Sequence, residues 1–219
     1  MDASEIPTLV TDRLHLRPLR ETDVDDYAAL YSDPEVVRFL LGGAQPWDRG
    51  RSWRHLAFLL GHWQLGRCGM WAVEHRESGA FLGTVGFAEP AGWPGCELAW
   101  ALARRWWGNG YATEGARAAL AYAFTTLRRP RVISLIHPQN HASVRVAERI
   151  GERLQGRTEH FDREMLCYGI DRESYLASEV PAGLATEPVQ RCDDLRFPLH
   201  RRDPRGAQLR TSCTSSGCG

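Results

Sequence analysis

Residues 96–115 read CELAWALARRWWGNGYATEG. The first eight are apolar apart from one charged residue, Glu97, and read as a strand. Two tryptophans, Trp106 and Trp107, then stand directly before Gly108-Asn109-Gly110, a turn that glycine makes readily because it has no Cβ. An alanine-rich run of helical period starts at Tyr111. The first N–H groups of a helix have no internal acceptor, and the helix dipole adds partial positive charge there. Strand, glycine turn and helix N-terminus together suit a phosphate group, and Arg104 and Arg105 can add charge-assisted contacts. Taken alone, a Gly-x-Gly serves equally well as a tight turn with no ligand. Two other phosphate motifs are absent: there is no Gly-Lys-Ser/Thr, and the third glycine of a dinucleotide fingerprint is missing at its spacing.

Outward from this stretch the chain alternates strand and helix patterns. Residues 8–19 (TLVTDRLHLRPL) alternate apolar and polar and predict a first strand. Thr22 or Asp23 can cap a helix that turns Tyr27, Leu30 and Tyr31 inward. Asp33-Pro34 predicts a short second helix through Leu41, ended by Gly42-Gly43. Trp53, Leu56, Leu60 and Trp63 recur at helical spacing within a third helix over 48–65. Strands over 68–75 and 80–89 are joined by Ser78-Gly79 as a hairpin. After the helix from Tyr111 to Leu127, 131–136 (RVISLI) is a strand. Asn140 to Ile150 is a capped helix stopped by Gly151, and two more strands are expected near 152–158 and 165–170. From about residue 179 to 219 no period persists, which predicts a disordered tail.

Composition narrows the function classes. The 219 residues carry 27 basic and 27 acidic side chains, a balance that favours neither nucleic acid nor an anionic membrane surface. No apolar run has the length of a membrane span. The N-terminus lacks a basic segment followed by an apolar stretch, so no secretory signal is expected, and a cytoplasmic location is. Six cysteines contain no Cys-x-x-Cys, so neither zinc nor a disulfide set is expected. Cys68, Cys96 and Cys167 fall singly in predicted strands, where a thiol acts as a small apolar group. His55, His62, His137, His141 and His160 show no metal-ligand spacing. All 27 basic residues are arginine, and only two asparagines occur, Asn109 in the glycine turn and Asn140 at the head of a later helix. Their retention points to sites where that side chain matters.

RWWGNG (105–110) resembles the Arg/Gln-x-x-Gly-x-Gly/Ala acyl-CoA signature of the GNAT superfamily of N-acyltransferases. The wider string ELAWALARRWWGNGYATEGARA is similar to the RimJ/RimL-like branch, which acetylates protein N-termini and other amines. NHASVRVAERIG (140–151) resembles that branch's Asn-x-x-Ser segment and the helix after it. TDRLHLRPL (11–19) and SDPEVVRFL (32–40) look like its first strand and second helix. The resemblance is colinear over residues 8–178, which it implies to be one N-acetyltransferase domain.

That resemblance implies a mixed α/β (α+β) fold with about seven strands, mostly antiparallel, whose central parallel pair splays apart between flanking helices. Acetyl-CoA would be the co-substrate, with no metal. Main-chain N–H groups from Arg105 through Trp106, Trp107, Gly108, Asn109, Gly110 and Tyr111 to Ala112 would hold its pyrophosphate. The pantetheine arm would lie between strands 96–103 and 131–136, pairing with the backbone of Trp100 and Leu102 as an added strand does. Trp106 and Trp107 either stiffen the loop or occupy ordinary core positions. The acceptor would be a primary amine, on a small molecule or a protein N-terminus, with helix 48–65 forming one wall of its pocket. Homodimers are common in that branch.

Acetyl transfer to an amine needs a base, because alkyl amines are mostly protonated at neutral pH. Glu97 is the candidate, since a carboxylate among apolar neighbours titrates high; the alternative is a strand-end glutamate facing water. Ser143, three residues after Asn140, lies in the first turn of its helix. The family pattern puts this hydroxyl near the sulfur, as donor to the departing thiolate, while Asn140 reaches the pantetheine. For both, helix capping is the alternative.

Overall fold

In the computed structural model, which describes residues 6–40, 45–66, 68–160 and 163–179, eight strands form one sheet. The chain runs β1 (Leu9–Val10), β2 (Leu14–Arg17), α1 (Val24–Ser32), α2 (Pro34–Val37), α3 (Arg49–Gly66), β3 (Met70–His75), β4 (Phe81–Ala88) and β5 (Glu97–Leu102). It continues with α4 (Tyr111–Thr125), β6 (Arg131–Ile136), α5 (His141–Arg149), β7 (Arg153–His160), β8 (Arg163–Asp171) and α6 (Arg172–Glu179). The strand order is β1-β2-β3-β4-β5-β6-β8-β7. Every neighbouring pair is antiparallel except β5 and β6, which are parallel. This is the mixed, mostly antiparallel sheet that the sequence leads one to expect.

Alternation along the strands sorts the core onto the two faces of the sheet. Trp71 and Val73 of β3, Leu82, Val85 and Phe87 of β4, and Leu98 of β5 pack with Ala116, Ala119, Leu120, Ala123 and Phe124 of α4. Met70, Ala72, Phe81 and Ala101 pack with Tyr27, Leu30 and Tyr31 of α1 and with Leu56 and Leu59 of α3. The alanines of α4 let it lie close on the sheet; a Cβ at Gly115 would stand 3.3 Å from Val85 Cγ2.

Several sequence expectations change in detail. Residues 8–19 form two strands rather than one, which makes eight strands in place of seven. The break is a turn in which Thr11 N–H donates to Leu14 O and Leu14 N–H donates to Thr11 Oγ1. α2 stops at Val37, and residues 41–44, with the Gly42-Gly43 stop, lie outside the described residues. α3 buries Ser52, Leu56, Leu59, His62 and Trp63, whereas Trp53 is half exposed; the inner face is therefore rotated from the expected one. Cys68 and Cys96 lie just ahead of β3 and β5, not within strands, and the Arg129 guanidinium donates to the Cys68 thiol at 3.5 Å. α6 has no counterpart in the sequence reading. Residues 180–219, and the tail expected there, lie outside the described residues. Among the described residues no helix is long and apolar enough to cross a membrane.

One buried ion pair ties the first strands to α1. The Arg17 guanidinium donates two hydrogen bonds of 2.8 Å to the Asp23 carboxylate, with both side chains buried, and it also pairs with Glu74. Removing one partner of such a pair leaves a charge in a poorly hydrated place. Asp23→Ala is expected to lower unfolding free energy by about 3 kcal/mol in urea titration, and a loss under about 1 kcal/mol would contradict this role.

Candidate active site

β5 and β6 share a single bridge, Glu97 opposite Ile133, where Ile133 N–H donates to Cys96 O at 3.0 Å. A parallel ladder would next join Leu135 N–H to Leu98 O. It does not. Ser134 Oγ donates to Leu98 O at 2.8 Å, and Leu135 N–H faces the Glu97 carboxyl and favours its ionised form. The strands diverge from that point. Ala103 N–H bonds back to Leu82 O, so by the alternation of an antiparallel ladder Trp100 and Leu102 turn their main-chain groups toward the gap.

The gap opens into two cavities. The larger, about 790 Å³, runs from Gly108, Gly110, Tyr111 and Ala112 past Trp100 to Asn140 and Ser143, with Arg145 and Arg149 of α5 in its wall. The smaller, about 250 Å³, is lined by Tyr31, Trp47, His55, Phe58, Trp93 and Glu97. Trp100, Asn140 and Ser143 belong to both, so the cavities meet there.

At the outer end of the larger cavity, Gly108 and Gly110 have φ of +79° and +80°, the left-handed region that glycine enters without strain. The first intrahelical bond of α4 is Glu114 N–H to Gly110 O, which leaves Tyr111, Ala112 and Thr113 N–H without helical acceptors. Two parts of the expected cradle have partners within the protein. Arg104–Trp106 form a 3-10 turn in which Trp106 and Trp107 spend their N–H groups on Ala103 O and Arg104 O. The Trp107 indole then donates to Leu102 O at 2.6 Å, so that carbonyl already has a partner within the protein. The side chains of Trp106 and Trp107 line the cavity, and Trp106 also packs on His75 and Tyr111. The Arg105 guanidinium lies over the Trp106 ring, while Arg104 pairs with Asp33.

Asn109 braces the loop: its Nδ2 donates to Trp106 O and Trp107 O. A second brace comes from the break in the expected first strand. Arg13, in the β1–β2 turn, pairs with Glu114, donates to Asn109 O at 3.0 Å and lies over the Tyr111 ring. Thr11 Oγ1 donates to the same Glu114 carboxylate. Nothing local marks Arg13, because its partners lie about a hundred positions away in the chain.

The two candidate catalytic side chains flank the junction. Glu97 is buried, accepts from Trp93 Nε1 at 2.6 Å, and lines the smaller cavity. Burial pushes its pKa up to about 7, despite the hydrogen bonds from Trp93 and Leu135 N–H that pull the other way. The water-facing alternative for Glu97 is thereby set aside. Ser143 sits in the first turn of α5, where its Oγ accepts from Trp100 Nε1 at 3.3 Å and its proton remains available to donate. Asn140 caps α5 through Oδ1, which accepts from Ser143 N–H. His55, in the smaller cavity, is kept neutral by burial, which lowers its pKa to about 4. Among the described residues no group of three His, Cys, Asp or Glu could hold a metal ion.

Residues 13–153 match the family described as "Acetyltransferase (GNAT) domain". The uncharacterized protein YkkB of Bacillus subtilis (strain 168) is 33% identical over 175 residues, covering 76% of this chain and 96% of that protein. A solved acetyltransferase from Agrobacterium tumefaciens str. C58 is 36% identical with a TM-score of 0.69, over 76% of this chain and 95% of that one. The ribosomal L7/L12 alpha-N-protein acetyltransferase RimL, solved with coenzyme A, is alike in fold alone, at 18% identity and a TM-score of 0.65 over 75% of this chain and 98% of that one.

The raised pKa of Glu97 has a consequence for stability. Its folded value, about 7, lies above the ordinary carboxylate value of 4.5, so the folded state binds the extra proton and stability falls as pH rises between those values. Glu97→Gln removes that dependence. Its unfolding free energy relative to wild type should rise by about 3 kcal/mol from pH 4 to pH 8 in denaturant titrations; a constant difference would show that Glu97 titrates normally.

Proposed function

Because the chain belongs to the GNAT acetyltransferase family, we propose that it transfers the acetyl group of acetyl-CoA to the nitrogen of a primary amine, by direct attack in a ternary complex. The observation that carries the reading is the pair of cavities meeting at Ser143 and Trp100, one ending on a helix N-terminus and the other holding a buried carboxyl. The residues present fit the co-substrate: a braced glycine turn with free N–H groups suits a diphosphate, and the parted strands offer the Trp100 backbone to an extended arm. RimL, which shares the fold, was solved with coenzyme A. Acetyl-CoA would supply an activated acyl carbon as its thioester.

The chain's own groups do the rest. Glu97, ionised above pH 7, takes the proton from the acceptor ammonium, directly or through a water. The C–N bond forms as the C–S bond breaks, the second proton of the attacking nitrogen passes to the departing sulfur to give the free thiol, and Ser143 Oγ donates a hydrogen bond that stabilises the charge on that sulfur meanwhile. The smaller cavity is walled by aromatic rings, and Glu97 is its single acidic side chain among the described residues. That favours an amine on a compact apolar body, whether a small molecule or the first residue of a protein, over a polyamine, whose further cations would be left without partners.

Free thiol release from acetyl-CoA in a screen of primary amines tests turnover; coenzyme A binding without thiol release from any amine would favour a silent acyl-CoA-binding module. With an active amine, kcat/KM should fall on the acid side with an apparent pKa near 7. Glu97→Gln should cost about 10²–10⁴-fold at pH 7 and clearly less at pH 9, where more amine is free base. An equal loss at both would remove the base assignment. Ser143→Ala should lower kcat with little change in KM, and an unchanged kcat would remove Ser143 from the scheme.

A further inference from the structure

Nothing in the transfer scheme uses Glu152, although it is among the most deeply buried side chains of the protein, at 1% exposure. It follows Gly151 at the end of α5, and its Oε1 lies 3.1 Å from Ser134 Oγ. The same Ser134 Oγ lies 2.8 Å from Leu98 O. A hydroxyl has one proton, and a carbonyl oxygen can only accept. For both contacts to be hydrogen bonds, the Ser134 proton goes to Leu98 O, and Glu152 supplies the proton of a carboxylic acid to Ser134 Oγ. The three groups form a directed chain: Glu152 O–H to Ser134 Oγ, and Ser134 O–H to Leu98 O.

That chain ends on the carbonyl whose release from the ladder parts β5 from β6. We infer that Glu152, acting as a proton donor, and Ser134 are positioning residues that hold Leu98 O away from Leu135 N–H and so keep the sheet open. The gap matters for turnover only if it receives the thioester arm, so this inference rests on the function proposed above. It also links the gap to the base. With Leu98 O occupied, Leu135 N–H is left to donate to Glu97, and anything that lets the ladder close takes that donor from the carboxyl.

Other observations agree. Burial raises the Glu152 pKa to about 8, with the nearby Glu97 charge adding to the effect. The titratable groups that interact with Glu152 are Glu97 on β5 and Cys167 on β8. The second oxygen, Oε2, is buried without a partner, which a neutral acid tolerates far better than a carboxylate.

The test compares Ser134→Ala, Glu152→Leu and Glu152→Gln in the full chain. Losing one link should raise KM for acetyl-CoA about tenfold in Ser134→Ala and in Glu152→Leu, leaving KM for the amine unchanged. Glu152→Gln keeps a neutral donor, its Nε2–H, and should restore KM to within about twofold of wild type. Above pH 8 wild-type Glu152 ionises, so KM for acetyl-CoA should climb there, while Glu152→Gln stays flat; Glu97 and Cys167 are present in both and cancel in the comparison. In Ser134→Ala the acid limb of kcat/KM should also move to higher pH, because Glu97 loses its main-chain donor. A Glu152→Gln variant as impaired as Glu152→Leu, or coincident pH profiles for it and wild type, would overturn the inference. Should the wild type bind no coenzyme A, the functional reading fails and the relay is judged by a crystal structure of Ser134→Ala. Closure of Leu135 N to within about 3 Å of Leu98 O supports the relay, and an unchanged gap refutes it.

Discussion

The sheet opens at one carbonyl. Buried main-chain groups left without hydrogen-bond partners cost about 1–3 kcal/mol each, so two adjacent parallel strands do not part in the middle of a sheet unless something replaces the ladder. Here Ser134 Oγ replaces it at Leu98 O, and the Glu97 carboxyl faces Leu135 N–H. The split is held at that carbonyl, and the rest of the site is arranged around it. Trp100 turns its backbone toward the gap, the two cavities meet beside it, and the candidate base is one of the groups that hold it open. Opening the sheet and burying the carboxyl that titrates near 7 are one structural event.

Rigidity at the far end has a different origin. A loop with two left-handed glycines would sample many conformations, and its N–H groups would bind an anion poorly if they had to be ordered first. Asn109 ties the loop internally, the Trp107 indole anchors it to Leu102 O, and Arg13 with Glu114 pins it from the first hairpin. The tryptophans ahead of the turn thus serve as fasteners. Trp107 gives up the Leu102 carbonyl as a pairing site in return for a loop that holds its shape.

Much of this was legible in the sequence because it was encoded locally. The strand, glycine turn and helix over 96–125 declare themselves by composition and period. Asn140 and Gly151 bracket α5 by ordinary capping chemistry, and Glu97 stands out as the one charge in an apolar strand. The features that escaped are those built by contacts distant in sequence. Arg13 looks like any surface arginine until the fold brings it to Asn109. Ser134 sits unremarked inside RVISLI, and Glu152 reads as a solvated residue after a glycine. The hairpin break at Thr11 was hidden by an unbroken apolar alternation, and the rotated face of α3 by tryptophan at a helical spacing that the fold leaves half exposed.

In the function proposed, the parted strands β5 and β6 receive an acyl-CoA arm whose diphosphate rests on the turn before Tyr111. A crystal structure of the full chain with coenzyme A tests it most directly. The diphosphate should lie on the N–H groups between Gly108 and Thr113, the pantetheine should bond to the Trp100 backbone, and the sulfur should lie beside Ser143. Coenzyme A bound elsewhere, or β5 and β6 joined along their length with the turn turned away from the ligand, would contradict it.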